Sequence, residues 1–222
     1  MKNDYSLIFP TEIKTDHEAI SAKFAELYQF LCSENLKYNL TRITDEKDFR
    51  IKHVYDSMLP LAAFPEYFNQ NIRIADIGCG AGFPSLIIAS TCPNAHITAI
   101  DSRGKKIQFV RNAAELLELP NITAVAKRAR ELASDETYRN SFDLITARAV
   151  ASIKTIFKET RRLLKPNGVY MLFKTPEAAD EEICEVRGIS EKYGFTWELS
   201  KTFSLPDEKG LRVIVLGKKD SI

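Results

Sequence analysis

Asp76-Ile77-Gly78-Cys79-Gly80-Ala81-Gly82-Phe83-Pro84 follows a short β-like run, Ile72-Arg73-Ile74-Ala75, and precedes an apolar helix-like run from Ser85 to Ala89. The glycines therefore sit at a strand-to-helix turn, where a residue without a Cβ permits a tight bend and a close backbone approach to a bound molecule. Asp101 stands 25 positions after Asp76, at the end of a second β-like run, His96-Ile97-Thr98-Ala99-Ile100. A glycine turn after one strand and an acid after the next describe a site for the ribose end of an adenosine cofactor. The spacing is G-x-G-x-G, not the G-x-G-x-x-G that meets a dinucleotide pyrophosphate. S-adenosylmethionine has no phosphate and carries a cationic amino-acid end, so an acid two positions before the first glycine suits it.

Working outward, the pattern downstream of residue 72 alternates strand and helix. Ile72–Ile77, His96–Ile100, Ile122–Ala126, Phe142–Ala147 and Gly168–Lys174 read as strands. Helices are expected from Ser85, over Lys105–Leu117, over Ile153–Leu164 and over Ala178–Tyr193, the last ending at Gly194. A charged loop precedes the fourth strand, and Pro166-Asn167-Gly168 signals a turn. Phe195–Ser200 and Leu211–Leu216 are expected to close the sheet as a hairpin. The alternation predicts an α/β fold with a doubly wound, mostly parallel sheet, whose ligands bind outside the carboxyl ends of the strands. Asp76, Asp101 and Arg148 all fall at such ends. Upstream, Ala19, Ile20, Phe24, Leu27, Tyr28 and Leu31 recur at helical spacing, with Asp16 as a candidate cap. Asn39–Thr44 breaks that helix, a short helix follows from Asp45 to about Tyr55, and Pro60 and Pro65 are expected to interrupt what comes next. Two regions follow: a helical segment over 1–70 packing on a core domain over 71–222.

Composition narrows the function classes. The chain has 222 residues, 45% hydrophobic and 27% charged, with a net charge of +1. Any nucleic-acid surface must therefore come from local clustering. Three clusters are candidates: Lys105, Lys106 and Arg111; Lys127, Arg128 and Arg130; Arg161, Arg162 and Lys165. Cys32, Cys79, Cys92 and Cys184 form no C-x-x-C pair, so neither a metal site nor a disulfide framework is expected. No apolar run approaches the roughly 18 residues of a membrane span. The start, Met1-Lys2-Asn3-Asp4, lacks a signal-peptide core. The expected location is the cytoplasm, with its reducing thiol chemistry.

Several segments together resemble one family, the bacterial 16S ribosomal RNA guanine-N7 methyltransferases (RsmG, or glucose-inhibited division protein B). They are Asn39-Leu40-Thr41, His53-Val54-Tyr55-Asp56-Ser57, the Asp76–Pro84 turn, Asp101-Ser102 with Lys105-Lys106, and Thr146-Ala147-Arg148-Ala149-Val150. The resemblance covers roughly residues 20 to 217. It implies a class I S-adenosylmethionine-dependent methyltransferase: a Rossmann-like, mostly parallel seven-stranded sheet with an N-terminal helical extension. The substrate implied is 16S rRNA or the small ribosomal subunit, methylated at N7 of a loop guanine near the decoding site. The implied cofactor contacts are Gly78 and Phe83, Ala129 and Arg130 beside the adenine, and Arg148 beside cofactor and target base, with Asp76, Gly80 and Asp101 completing the site. Arg148 is also the candidate catalytic residue. The chain departs from the family pattern at Arg130, where a glutamate is usual and Glu131 follows one step on. It departs also at Glu34 for tryptophan and at Thr175 for glycine.

Each singled-out residue also has a plainer reading. Asp76 can accept hydrogen bonds in the turn without touching ligand, and Asp101 can be a polar strand end. His53 and Asp56 can be an acid/base pair or a buried brace between helices and sheet. Asn39 can be a turn residue or an RNA contact. An unpaired arginine at the Arg148 junction would be costly to bury. Rival functions are a methyltransferase with a non-RNA acceptor, a nicotinamide-dependent oxidoreductase and a non-catalytic RNA-binding module.

Overall fold

The computed structural model describes residues 17–68 and 71–219; the expected Asp16 cap lies outside them. The chain begins with α1 (His17–Tyr38) and closes it at Asn39, whose left-handed φ of 49° makes it the terminating residue, with its amide on the Asn35 carbonyl at 3.0 Å. Asp45 caps α2 (Glu46–Phe49), accepting from the Asp48 amide. From there the helix does not stop. A π-helical turn (Arg50–Tyr55) leads into α3 (Asp56–Ala63), with Pro60 inside it. The interruption expected at Pro60 is absent for an energetic reason. A proline inside a helix costs about 3 kcal/mol, whereas burying Met58, Leu59 and Leu61 recovers about 1.5–3 kcal/mol each.

The sheet follows in the expected alternation: β1 (Arg73–Ile77), α4 (Ser85–Thr91), β2 (His96–Ile100), α5 (Gly104–Leu116), β3 (Ile122–Val125), α6 (Ala129–Ser134), β4 (Phe142–Arg148), α7 (Ile153–Thr160), β5 (Leu164–Lys174), α8 (Pro176–Ser190), β6 (Phe195–Leu199), β7 (Phe203–Ser204) and β8 (Leu211–Lys219). The strand order is β3-β2-β1-β4-β5-β8-β6, parallel from β3 to β5 and antiparallel where β8 pairs with β5 and β6. Those seven strands are the expected sheet. An eighth, the two-residue β7, pairs with the start of β8 and makes the sheet eight-stranded. The segment expected as a charged loop before β4 instead contains α6. Pro166-Asn167-Gly168 is not a turn but an irregularity inside β5, where the register with β4 shifts between Phe142 and Leu144. Gly168 has little room there, since a Cβ would lie 2.9 Å from the Phe142 carbonyl oxygen.

Alternate residues of each strand face two cores, the period-2 consequence of the pleat. Ile74, Leu144, Met171 and Ile214 share one core with α4 and α5 and with Phe24, Leu27 and Leu31 of α1. Ala75, Ile145, Tyr170 and Val215 share the other with α7 and α8. The N-terminal helices thus pack into the same core as the sheet and lean over its carboxyl edge, where the site lies.

Candidate active site

A cavity of about 520 Å³ opens at the carboxyl ends of β1, β2 and β4. The turn after β1 forms its floor. The Cys79 amide donates to the Ile100 carbonyl at 2.9 Å, tying the turn to the neighbouring strand, and the Gly82 and Phe83 amides both return to the Cys79 carbonyl. Gly78 has φ +68°, and a Cβ there would lie 2.5 Å from Cγ2 of Val150, so only glycine fits without a shift.

Asp76 does not line this cavity. It is 1% exposed, accepting from Ser85 Oγ and from Thr146 Oγ1 at 3.0 Å, and burial pushes its carboxyl up to about 6. The expectation of a cofactor contact at Asp76 gives way to the plainer one: it braces β1 to α4 and β4 beneath the turn. Asp101 does line the cavity. Its Oδ2 accepts from the Gly80 amide at 3.1 Å and its Oδ1 from the Arg103 amide at 2.8 Å, fixing the carboxylate with lone pairs left for hydroxyl donors. At the far end the wall is Lys127, Arg128, Ala129 and Arg130, at the start of α6. Glu131 does not replace the acid missing at 130. It turns back to accept from the Arg128 amide at 3.1 Å, capping its own helix.

The near wall is built differently. Arg148 spans from β4 to the helices: Nη1 donates to the Lys52 carbonyl at 2.8 Å and to Asp56 Oδ2 at 3.1 Å. Nη2 lies 3.2 Å from His53 Nδ1. A guanidinium only donates, so Nδ1 is the acceptor and the imidazole proton sits on Nε2, which reaches Thr41 Oγ1 at 3.2 Å. Burial, then the charge of Arg148, pushes His53 down to about 2, so the ring is neutral. It stacks on Phe83 with centroids 4.1 Å apart. Asp56, buried at 2% exposure, also accepts from Arg212 Nε at 3.2 Å. His53 and Asp56 are therefore the brace, with Arg148 at its centre. These bonds leave Arg148 its Nε–H and one Nη2–H.

A second cavity, about 410 Å³, shares the Arg148-Ala149-Val150 wall and continues over β5 and α8, lined by Phe173, Lys174, Thr175, Ala178, Glu182 and Arg212. Ala149 holds φ +54° at the partition, a left-handed conformation costing an L-residue about 1–2 kcal/mol. Lys174 and Glu182 were not anticipated; the apolar spacing around them reads only as strand and helix. Thr175 caps α8, accepting from the Ala178 amide. Among the described residues no group of three or more His, Cys, Asp or Glu gathers in a metal-holding cluster, and no helix is long and apolar enough to cross a membrane.

The basic clusters separate by position. Arg103, Lys106, Arg128 and Arg130 line the mouth of the first cavity without a salt bridge among the described residues. Arg161 and Lys165 lie at the opposite edge. There Arg161 Nη1 donates to the Lys158 carbonyl and Lys165 pairs with Asp143 at 2.7 Å.

The fold is shared with solved methyltransferases. A SAM-dependent methyltransferase from Aquifex aeolicus superposes with a TM-score of 0.55 at 17% identity, covering 84% of this chain and 98% of that one. TYW2 of M. jannaschii, solved in complex with AdoMet, superposes with a TM-score of 0.52 at 18% identity over 68% of each chain. The fold is that of the class I S-adenosylmethionine-dependent methyltransferases. The family model described as rRNA small subunit methyltransferase G matches residues 20–200. Proteins named ribosomal RNA small subunit methyltransferase G are similar over most of the chain. That of Oceanobacillus iheyensis is 40% identical over 91% of this chain and 84% of its own, and that of Staphylococcus aureus 36% over 91% and 83%. The chain belongs to the rRNA small subunit methyltransferase G family.

Proposed function

We propose that this protein, in the cytoplasm, methylates N7 of a guanine in a loop of 16S rRNA near the decoding site, with S-adenosylmethionine as methyl donor. The observation that carries the reading is the coincidence of the family match over residues 20–200 with a cavity whose parts suit this cofactor. Its 520 Å³ lies within the roughly 300–1,000 Å³ of small-molecule sites. Gly78 lets the backbone approach closely and Phe83 closes that end. Asp101 offers carboxylate lone pairs to ribose hydroxyls, and Ala129 with Arg130 flanks the adenine. When bound, the cofactor supplies an electrophilic methyl group on a sulfonium.

The protein's part is alignment. Guanine N7 carries a lone pair and no proton, so the reaction requires no general base. The cavity agrees: His53 is neutral with both ring nitrogens engaged, and both Asp101 oxygens hold backbone amides. Arg148 stands where the two cavities meet and keeps two N–H groups for cofactor or acceptor. N7 is sequestered in the deep, narrow major groove of A-form RNA, so the target must come from a loop or leave its stack. The unpaired cations at the mouth suit the phosphates of such a loop.

The test is transfer from radiolabelled S-adenosylmethionine to small-subunit RNA lacking its N7-methylguanosine, followed by digestion to nucleosides. Label in N7-methylguanosine is expected. Cofactor binding with no label in RNA would move the acceptor to another class of molecule.

A further inference from the structure

The second cavity has chemistry that the first does not use. Lys174 and Glu182 lie in its wall with their side chains 13% and 20% exposed, and pair at 2.8 Å. Lys174 Nζ spends one N–H on the Ala151 carbonyl at 2.9 Å. A second N–H goes to Glu182 Oε1 at 2.9 Å, whose only protein donor this is, while Oε2 takes its hydrogen bond from the Ile153 amide; the third Lys174 N–H has no hydrogen-bond acceptor among the described residues. The pair therefore presents a free N–H beside a carboxylate oxygen with free lone pairs. We propose that this cavity is the acceptor-base pocket and that Lys174 and Glu182 read the Watson–Crick edge of the target guanine. The proposal rests on the functional reading above.

The match is one of donor and acceptor order. Guanine offers O6 as acceptor, then N1–H and the N2 amine as donors, and the protein offers a donor, then an acceptor. Adenine offers the reverse, an amine and then a bare nitrogen, and would set donor against donor at Lys174. Ala149, Val150 and Phe173 supply apolar walls for a flat base. An edge held at Lys174 and Glu182 leaves N7 unbound on the other side of the ring, toward the partition shared with the first cavity. The Arg148-Ala149-Val150 segment would then separate base from cofactor except where methyl and N7 meet.

The test compares RNA carrying guanosine at the target with RNA carrying inosine, which keeps N7 and O6 but lacks the N2 amine. The wild-type protein should lose about tenfold or more in kcat/KM on inosine, the scale of one hydrogen bond to a charged group. Glu182→Gln should lose a similar factor on guanosine, narrow the guanosine-to-inosine gap at least threefold, and bind S-adenosylmethionine with wild-type affinity in calorimetry. A merely structural Glu182 would leave that gap unchanged in the variant, and this result overturns the proposal. Should Glu182→Gln fail to fold, equal wild-type rates on the two RNAs overturn it instead. Absence of wild-type transfer to either RNA would overturn the functional reading itself, and this proposal with it.

Discussion

The two walls of the first cavity are made in opposite ways. The glycine turn and Asp101 form a wall of main chain: amides, carbonyls and one carboxylate held between the turn's Gly80 amide and its own loop's Arg103 amide, all from Asp76 to Arg103. The Arg148 wall is made of side chains drawn from far apart, with Arg148 bonded to Lys52 96 positions away and Arg212 to Asp56 156 positions away. The first wall takes its shape from local backbone rules. The second exists only once helices and sheet have packed, so in the proposed reaction packing and alignment would depend on the same bonds.

The comparison breaks most severely at Asp56. Asp56→Ala would leave two guanidinium groups without their shared carboxylate, and removing one partner of a buried pair costs about 3–5 kcal/mol. Chemical denaturation should show that loss together with loss of methyl transfer; a stability within 1 kcal/mol of wild type, on the order of a surface change, would make the brace dispensable. Arg148→Ala comes next. Arg212 keeps Asp56 paired, so transfer should fall about 100-fold, near 3 kcal/mol of barrier, with a smaller change in folding stability. Equal turnover would remove Arg148 from the reaction.

Acid should act with opposite sign on the Arg148 wall and on the Asp76 brace beneath the glycine turn. His53 is held below its ordinary 6.5, so the unfolded chain takes up its proton first, and stability present above that value is lost as pH falls. By about pH 5 this amounts to about 2 kcal/mol. Asp76 is held above its ordinary 3.8, at about 6, so the folded chain takes up its proton first. Stability is regained there as pH falls through about 6, by about 1 kcal/mol at about pH 5. Melting temperature against pH should therefore fall less for His53→Asn and more steeply for Asp76→Asn than for wild type; an unchanged slope in His53→Asn contradicts the assignment. The smallest effect is at Gly80, where φ is +59° but a Cβ would make only ordinary contacts, with Lys106 Nζ at 3.6 Å and the Gly78 carbonyl oxygen at 3.9 Å. Gly80→Ala should cost about 1 kcal/mol of stability from backbone alone, read in the same denaturation experiment.

The same contrast explains what could be read from the amino-acid order. The turn, Asp101 and the alternation of strands and helices follow from short-range rules, and so were visible in advance. Asp76 belongs to the same motif, but whether its carboxylate faces ligand or core depends on Ser85 and Thr146, the latter 70 positions away. Pro60 misled because the burial that carries it through a helix is tertiary. His53, Asp56 and Arg148 were each conspicuous, yet their convergence was not. Lys174 and Glu182 gave no signal, because a lysine at a strand end and a glutamate on a helix look like solvated charges until α8 packs beside β5.

The most direct test of the central claim, that the main-chain wall holds the cofactor, is calorimetric titration of S-adenosylmethionine into wild type and folded Gly78→Val. The substitution puts a β-branched residue at φ +68° against Val150 and into the cavity floor. The wild type should bind and the variant should lose about 100-fold or more in affinity, the roughly 3 kcal/mol expected of a clash added to backbone strain. Equal affinity in the two proteins would contradict the account and place the cofactor elsewhere.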